Sequence, residues 1–248
     1  MTVDVVDLRD FYGRPLGSVV RRILRTRLRL RWPDASGQRV LGFGYATPYL
    51  GLFREEAERV LAFMPAGQGV IPWPADKPPA TALVEEDMWP LPDAAVDRIL
   101  LVHGLEGASS AADLLRECWR CLAPGGRLLA IVPNRRGPWA RIDTTPFGHG
   151  SPFSRLQLNQ LLRESSFAPM AWEEALMFPP FNARLVLRSA SAIERAGRVL
   201  WAPFAGALMV EATKEVRLLV ASRRRRAQRM VLKPAPLPAG TPAPAPPG

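Results

Sequence analysis

The stretch Val40–Leu50, VLGFGYATPYL, constrains the fold of this chain more than any other. A short apolar run, Val40-Leu41, enters a Gly-x-Gly turn at Gly42 and Gly44, and a helix-like pattern follows. A strand that stops at a tight turn and passes into a helix belongs at the carboxyl edge of a parallel sheet, where open α/β folds bind their ligands. Glycine lets the backbone approach a ligand closely, and a helix start turns free N–H groups toward it. A Gly-x-Gly pair alone is equally compatible with an ordinary turn.

The segments that follow repeat the alternation. Strands are expected over 39–43, 59–64, 80–84, 95–103, 127–132, 167–176 and 205–212. Helices are expected over 8–31, 47–58, from Ser109 or Ser110 to Leu122, from Ser154 onward, and over 182–199. The run AVDRILLVH at 95–103 is nearly continuous in apolar residues, which suits a strand buried on both faces. Ala123-Pro124-Gly125-Gly126 stops one helix, and Ser154 with Gln157 three residues on forms a capping box for another. Strands alternating with helices at this spacing predict a doubly wound, mainly parallel sheet. Residues 134–152 form a long loop that carries His149 and contains two glycine-bearing turns. A loop of that length in a compact domain is usually functional.

The length of 248 residues fits one α/β domain with additions. The expected organisation is a basic amphipathic helical segment over 1–37, a central domain over 38–222, and a basic then Pro-rich tail over 223–248. The net charge of +10 is concentrated in two places. Arg21, Arg22, Arg25, Arg27, Arg29 and Arg31 form one cluster, and Arg223, Arg224, Arg225, Arg226 and Arg229 form the other. Neither cluster contains an acid, and outside them basic and acidic residues nearly balance. Two readings stand: solvated basic segments, or contacts to nucleic acid or an anionic membrane surface. Leu16, Val20, Leu24 and Leu28 recur every four residues among the first cluster, a stripe that favours packing on the domain. The tail from Pro234 cannot build a core and is expected to be extended and disordered.

No apolar run reaches the roughly 18 residues a membrane-spanning helix needs. The N-terminus lacks the order of a signal peptide, so a cytoplasmic protein is the expectation. Cys118 and Cys121 form C-W-R-C in a helical pattern, and the chain has two histidines. That set is too small for a zinc site, and two thiols on one helix face near a core are expected, with no metal.

From Gln38 to Lys214 the chain resembles the class I S-adenosylmethionine-dependent methyltransferases, in particular the type 11 group. Three stretches carry the resemblance. The first is Val40–Thr47 at the cofactor-loop position. The second is Glu85-Glu86-Asp87-Met88-Trp89-Pro90-Leu91-Pro92-Asp93, running on to Asp97. The third is Leu114–Leu128 with its Pro124-Gly125-Gly126 turn. Gly206–Lys214 also fits the last strand of such a fold. The resemblance implies a Rossmann-like seven-stranded sheet with the last strand antiparallel, and S-adenosylmethionine as cofactor across the carboxyl ends of strands one to four.

Carried over by position, Gly42, Phe43, Gly44 and Tyr45 border the methionine and ribose. Met64 closes the second strand, and Glu85 stands near the adenine amine with Glu86 and Asp87 beside it. Met88 and Trp89 flank the adenine ring, and His103 ends strand four facing the transferred methyl. The sequence departs from the family at two points. Its first loop has Gly42 at the acid position and Ala46 and Pro48 for later glycines, and proline has no N–H to offer. Its second strand ends Phe63-Met64-Pro65-Ala66-Gly67-Gln68, with no acid for the ribose hydroxyls. A neutral Gln68 is a weaker acceptor than a carboxylate.

Methyl transfer from a sulfonium is an in-line displacement in which alignment does most of the work. A base is needed only when the acceptor starts protonated. His103 and His149 are the candidate catalytic residues, with Glu106 nearby in sequence. Each histidine has a structural reading as well, His103 as a core residue at a strand end and His149 as a surface-loop residue. Arg135, Arg136 and Arg141 either clamp an acidic acceptor or are solvated. Trp139, Phe147 and Phe153 either wall an apolar pocket or pin the loop. The expected activity is methyl transfer to a small or acidic acceptor. Two alternatives stand beside it: a non-catalytic methyltransferase-like binding protein, and an RNA-modifying methyltransferase that uses the arginine clusters.

Overall fold

The computed structural model describes residues 3–215. The second arginine cluster, Arg223–Arg229, and the Pro-rich tail lie outside the described residues. Two helices open the chain, α1 (Val5–Gly13) and α2 (Pro15–Arg31). Asp4 caps α1 by accepting the Val6 N–H, and Pro15 starts α2 where its missing N–H costs nothing. The alternating part then runs β1 (Arg39–Gly44), α3 (Thr47–Leu50), β2 (Arg59–Pro65), β3 (Thr81–Val84), β4 (Val96–Val102), α4 (Ala111–Cys121) and β5 (Leu122–Pro133). It closes with α5 (Arg155–Glu164), β6 (Phe167–Ala175), α6 (Arg184–Leu200) and β7 (Ala207–Lys214).

The seven strands form one sheet in the order β3-β2-β1-β4-β5-β7-β6. β1 to β5 are mutually parallel, and β7 runs antiparallel to both β5 and β6. This is the expected doubly wound sheet. Its switch point lies between β1 and β4, where the chain winds off in opposite directions and a crevice opens at the strands' carboxyl ends. The Arg39 guanidinium grips the Asp97 carboxylate through two bonds of 3.0 Å, and the Arg39 N–H adds a third at 2.8 Å. That clamp ties the starts of β1 and β4 together, at the edge of the sheet opposite the crevice.

One core lies on each face. Leu41, Phe43, Trp89, Leu101, Leu115 and Leu158 belong to the core under α4 and α5. The opposite core joins α1, α2 and α6 to the sheet through Leu8, Tyr12, Leu24, Leu28, Trp32 and Phe178. The α2 stripe Leu16, Val20, Leu24 and Leu28 is therefore core, as its four-residue spacing requires. α2 is further fixed by Arg27, a buried guanidinium that pairs with Glu173 of β6 at 2.6 Å and Glu194 of α6 at 3.6 Å. Glu194 in turn accepts the N–H groups of Leu176 and Met177.

Some boundaries differ from the sequence expectations. The helix expected over 47–58 is only four residues long, with turns from Gly51 onward. Its successors make i→i+3 bonds, Leu52 to Tyr49 and Phe53 to Leu50, which swing Phe53 beneath Trp32 instead of continuing the helix. β5 starts five residues earlier than expected, because Val96 pairs with Leu122 across a bulge. The long loop is organised by two short 3-10 turns, Pro138–Arg141 and Pro146–Gly148.

Cys118 and Cys121 are free and buried on the inner face of α4, where burial raises both thiols, Cys121 to about 11. Both should resist a maleimide reagent in the native protein and react only after denaturation; fast native labelling would contradict this packing. Asp97→Asn should cost about 1–2 kcal/mol in urea unfolding at neutral pH. Arg39 holds the Asp97 carboxyl below its ordinary range. Its contribution is therefore full above the unfolded value of about 4 and fades as pH falls through the lower folded value. The gap between wild type and Asp97→Asn should close in acid.

Candidate active site

The candidate site is the carboxyl edge at the β1–β4 switch point. Gly42 lies inside β1, paired with Ala62 and Leu100, and a Cβ there would strike Ala46 and Leu50. Its lack of a side chain lets α3 lie directly on the strand. Gly44 has a φ of 78°, and a Cβ there would strike the Val102 carbonyl and Gly104. β1 and β4 thus converge at their tips, and the Tyr45 N–H, at the turn expected to face a ligand, donates to the Val102 carbonyl at 2.7 Å. Phe43 points to the other core and stacks on Trp89 with ring centres 5.1 Å apart. Met64 is fully buried, its sulfur facing the Ile71 N–H at 3.5 Å.

His103 follows β4 with a φ of 51°, a left-handed conformation that a non-glycine residue adopts at a cost of order 1–3 kcal/mol. Its surroundings over-determine that position. Tyr12 Oη lies 2.8 Å from Nε2, Glu106 Oε1 lies 3.1 Å from Nδ1, and the Gln68 amide donates to the His103 carbonyl at 2.9 Å. Phe147 meets the ring edge-on at 4.8 Å. Tyr49 donates to Tyr12 at 3.0 Å, so the Tyr12 hydrogen is left to point at Nε2, and Nδ1–H donates to Glu106. Burial raises the Tyr12 and Tyr49 hydroxyls, which keeps both neutral in this relay.

Tyr12 belongs to α1, and α1 lies across this edge. The Val5 N–H donates to the Gln68 carbonyl at 2.8 Å, and Val5 packs on Gly69 just past β2. Tyr12 stacks on Tyr45 at 5.5 Å and meets Tyr49 edge-on at 6.0 Å. All three tyrosines of the chain therefore meet at the switch point. Both histidines line one cavity beside it, with Val3, Glu106, Pro146 and Gly150. That cavity measures about 10 Å³, enough for one water and far too small for a nucleoside. Gln68 Oε1 and Glu106 Oε2 are buried here without a hydrogen-bond partner. Such orphaned acceptors are costly, so the closed edge carries unmet polar demand.

His149 is half-buried, with Nε2 2.7 Å from the Asp143 carbonyl. The Ser151 N–H donates to the Glu106 carbonyl, which brings the long loop onto the turn after β4. The structure thus joins His103, Glu106 and His149. It leaves the acidic passage apart from them: Glu85, Asp87 and Met88 are exposed, and Glu86 accepts the Ser109 N–H ahead of α4. Trp89 is wedged between Phe43 and Phe63 in the core. Trp139 and Phe147 are also core, stacked edge to face at 5.5 Å. Arg135 and Arg141 are exposed, and Arg136 lines a different cavity of about 880 Å³ with Asn134, Arg155 and Trp172. Sequence reasoning missed Tyr12, Tyr49 and the buried amide of Gln68 as a group. The signal available was the rarity of tyrosine, three in the whole chain.

Residues 41–130 match the methyltransferase domain family. A protein of Mycolicibacterium smegmatis, named as a probable S-adenosylmethionine-dependent methyltransferase, is 35% identical over 80 residues. Those residues are 32% of this chain and 31% of that protein, so the match spans about a third of the relative's length. Among solved structures, a chain of the complex between the Haloferax volcanii Trm112 methyltransferase activator and a methyltransferase is similar, with a TM-score of 0.60 and 17% identity over 87% of this chain and 100% of that one. An S-adenosylmethionine-dependent methyltransferase of Thermotoga maritima gives a TM-score of 0.58 and 14% identity over 85% and 96% of the two chains. At these identities the likeness to solved structures is one of fold. Residues 41–130 thus match the methyltransferase domain family, and the fold is the Rossmann-like one of the S-adenosylmethionine-dependent methyltransferases.

Proposed function

We propose that this chain is an S-adenosylmethionine-dependent methyltransferase whose cofactor edge is latched shut by its own N-terminal helix. In the closed conformation the edge does not fit the cofactor. Tyr12 stacks on Tyr45, the Tyr45 N–H is spent on Val102, and the adjoining cavity has room for one water at most. No acid ends β2, and Gln68 there is committed to the His103 carbonyl. The obstruction comes from α1, which precedes the matched residues 41–130 and contributes no strand to the sheet.

The observation that carries the reading is the Tyr12–His103–Glu106 relay at the switch point. Withdrawal of α1 would free His103 Nε2 while Glu106 still orients the ring through Nδ1. An imidazole held in that way is suited to accept a proton from an acceptor group. His149 on the same cavity is the second candidate. The acceptor is inferred to be small or acidic, because exposed Arg135, Arg136 and Arg141 follow β5.

The latch has a measurable strength. A buried hydrogen bond contributes about 1 kcal/mol and an aromatic contact about 0.5–1.5 kcal/mol. Removing the Tyr12 side chain should therefore lower the opening cost by about 2–3 kcal/mol. The apparent affinity of a ligand that needs the open form rises in proportion. Calorimetric titration with S-adenosylhomocysteine should show Tyr12→Ala binding roughly 30–150-fold tighter than wild type. Equal, micromolar binding by both proteins would remove the latch and keep the enzyme. No binding by either up to millimolar ligand would sink the methyltransferase reading and leave a non-catalytic domain.

A further inference from the structure

The six arginines of α2 look alike in sequence, and the fold sorts them into two groups. Arg27 is buried against Glu173 and Glu194. Arg31 lies within 4.0 Å of Glu173 and 3.9 Å of Glu211. Arg29 pairs with Glu56 at 2.6 Å and donates to the Leu52 and Pro33 carbonyls. These three hold α2 to the domain. Arg21, Arg22 and Arg25 have no ion pair among the described residues.

Those three open onto one groove of about 710 Å³ between α2 and the turn after α3. Ser18 adds a hydroxyl, the Thr26 hydroxyl donates back to the Arg22 carbonyl at 3.0 Å, Leu30 and Leu52 form an apolar rim, and no acidic side chain is among the lining residues. Ser18, Arg21, Arg22, Arg25 and Arg29 recur at helical spacings of three and four, so they share one face. Arg25 donates through Nη1 to the Pro48 carbonyl at 2.9 Å, which fixes its guanidinium at the groove wall. Burial and the like charges of Arg21 and Arg29 lower Arg25 from the ordinary arginine value. The wall is thus electrostatically unfavourable as it stands, and an anion would relieve it.

We propose that this groove is a binding site for a phosphate group, held by Arg21, Arg22 and Arg25 with the Ser18 hydroxyl. The distance along the helix from Arg21 to Arg25 is about 6 Å at 1.5 Å per residue. That length suits one phosphate or an adjacent pair, not a long polyanionic backbone. Guanidinium forks match phosphate oxygens two at a time. The exposed Leu30 at the rim, 72% accessible, offers contact to an apolar portion attached to the phosphate. The ligand is a phosphorylated small molecule or a phospholipid headgroup, which share this chemistry.

The test uses the full chain and an Arg21→Gln/Arg22→Gln double variant. Both side chains are exposed, so the fold should survive, and a melting curve checks it. The second cluster, Arg223–Arg229, is present in both proteins, so the difference reports on α2 alone. One arm titrates pyrophosphate by calorimetry; the other measures co-sedimentation with phosphatidylcholine vesicles with and without phosphatidylglycerol. We expect wild type to bind in at least one arm, the double variant to bind at least tenfold more weakly, and binding to weaken as salt rises. Pyrophosphate binding lost in the variant assigns a soluble phosphate. Phosphatidylglycerol-dependent sedimentation lost in the variant assigns a headgroup. Binding unchanged by the substitutions, or none in either arm, overturns the proposal. The S-adenosylhomocysteine titration of the double variant should match wild type, so the two proposals fail separately.

Discussion

The contact between Tyr12 and His103 governs how this molecule is arranged. His103 sits at the tip of β4 in a left-handed conformation that the isolated chain would avoid. It persists because a helix hydroxyl, a carboxylate, an amide and an aromatic edge all converge on it. Three of those partners come from distant parts of the chain: α1, the turn after β2, and the long loop. The same convergence closes the edge at which an open α/β sheet receives a ligand. Strain and orphaned oxygens concentrated at one place are typical of sites built for function and not for stability.

That closure reconciles two observations that otherwise pull apart. The middle of the chain matches the methyltransferase domain family, yet its glycine turn lacks the open geometry expected of it. Gly42 serves helix packing, Gly44 serves the close approach of β1 and β4, and Tyr45 hands its N–H to Val102. The residue types at the turn answer to local packing demands, and Tyr12 adds a stacked ring above them.

The basic charge follows a similar logic. Charge counting treats the α2 arginines as one patch, but burial separates them. Arg27 must find Glu173 and Glu194, because an unpaired buried guanidinium is prohibitively costly. Arg21 and Arg22 stay in water and face no such demand.

The sequence by itself determined the architecture. Hydrophobic period, Pro-Gly-Gly and Ser-Gln punctuation, and the alternation of strands with helices specify a doubly wound, mainly parallel sheet, because this depends on local pattern and on the few ways such units pack; the seven strands and the antiparallel last strand came from the resemblance to the class I methyltransferases. They also pointed to His103 and His149, which the fold brings to one cavity. Only the tertiary structure decided that Tyr12 and Tyr49 join Tyr45 and Gln68 in that neighbourhood, that α3 stops after one turn, and that three arginines are left facing a groove. These outcomes depend on contacts between segments tens of residues apart, 91 for Tyr12 and His103. No local pattern encodes such a contact, because each partner's own segment would look the same without it.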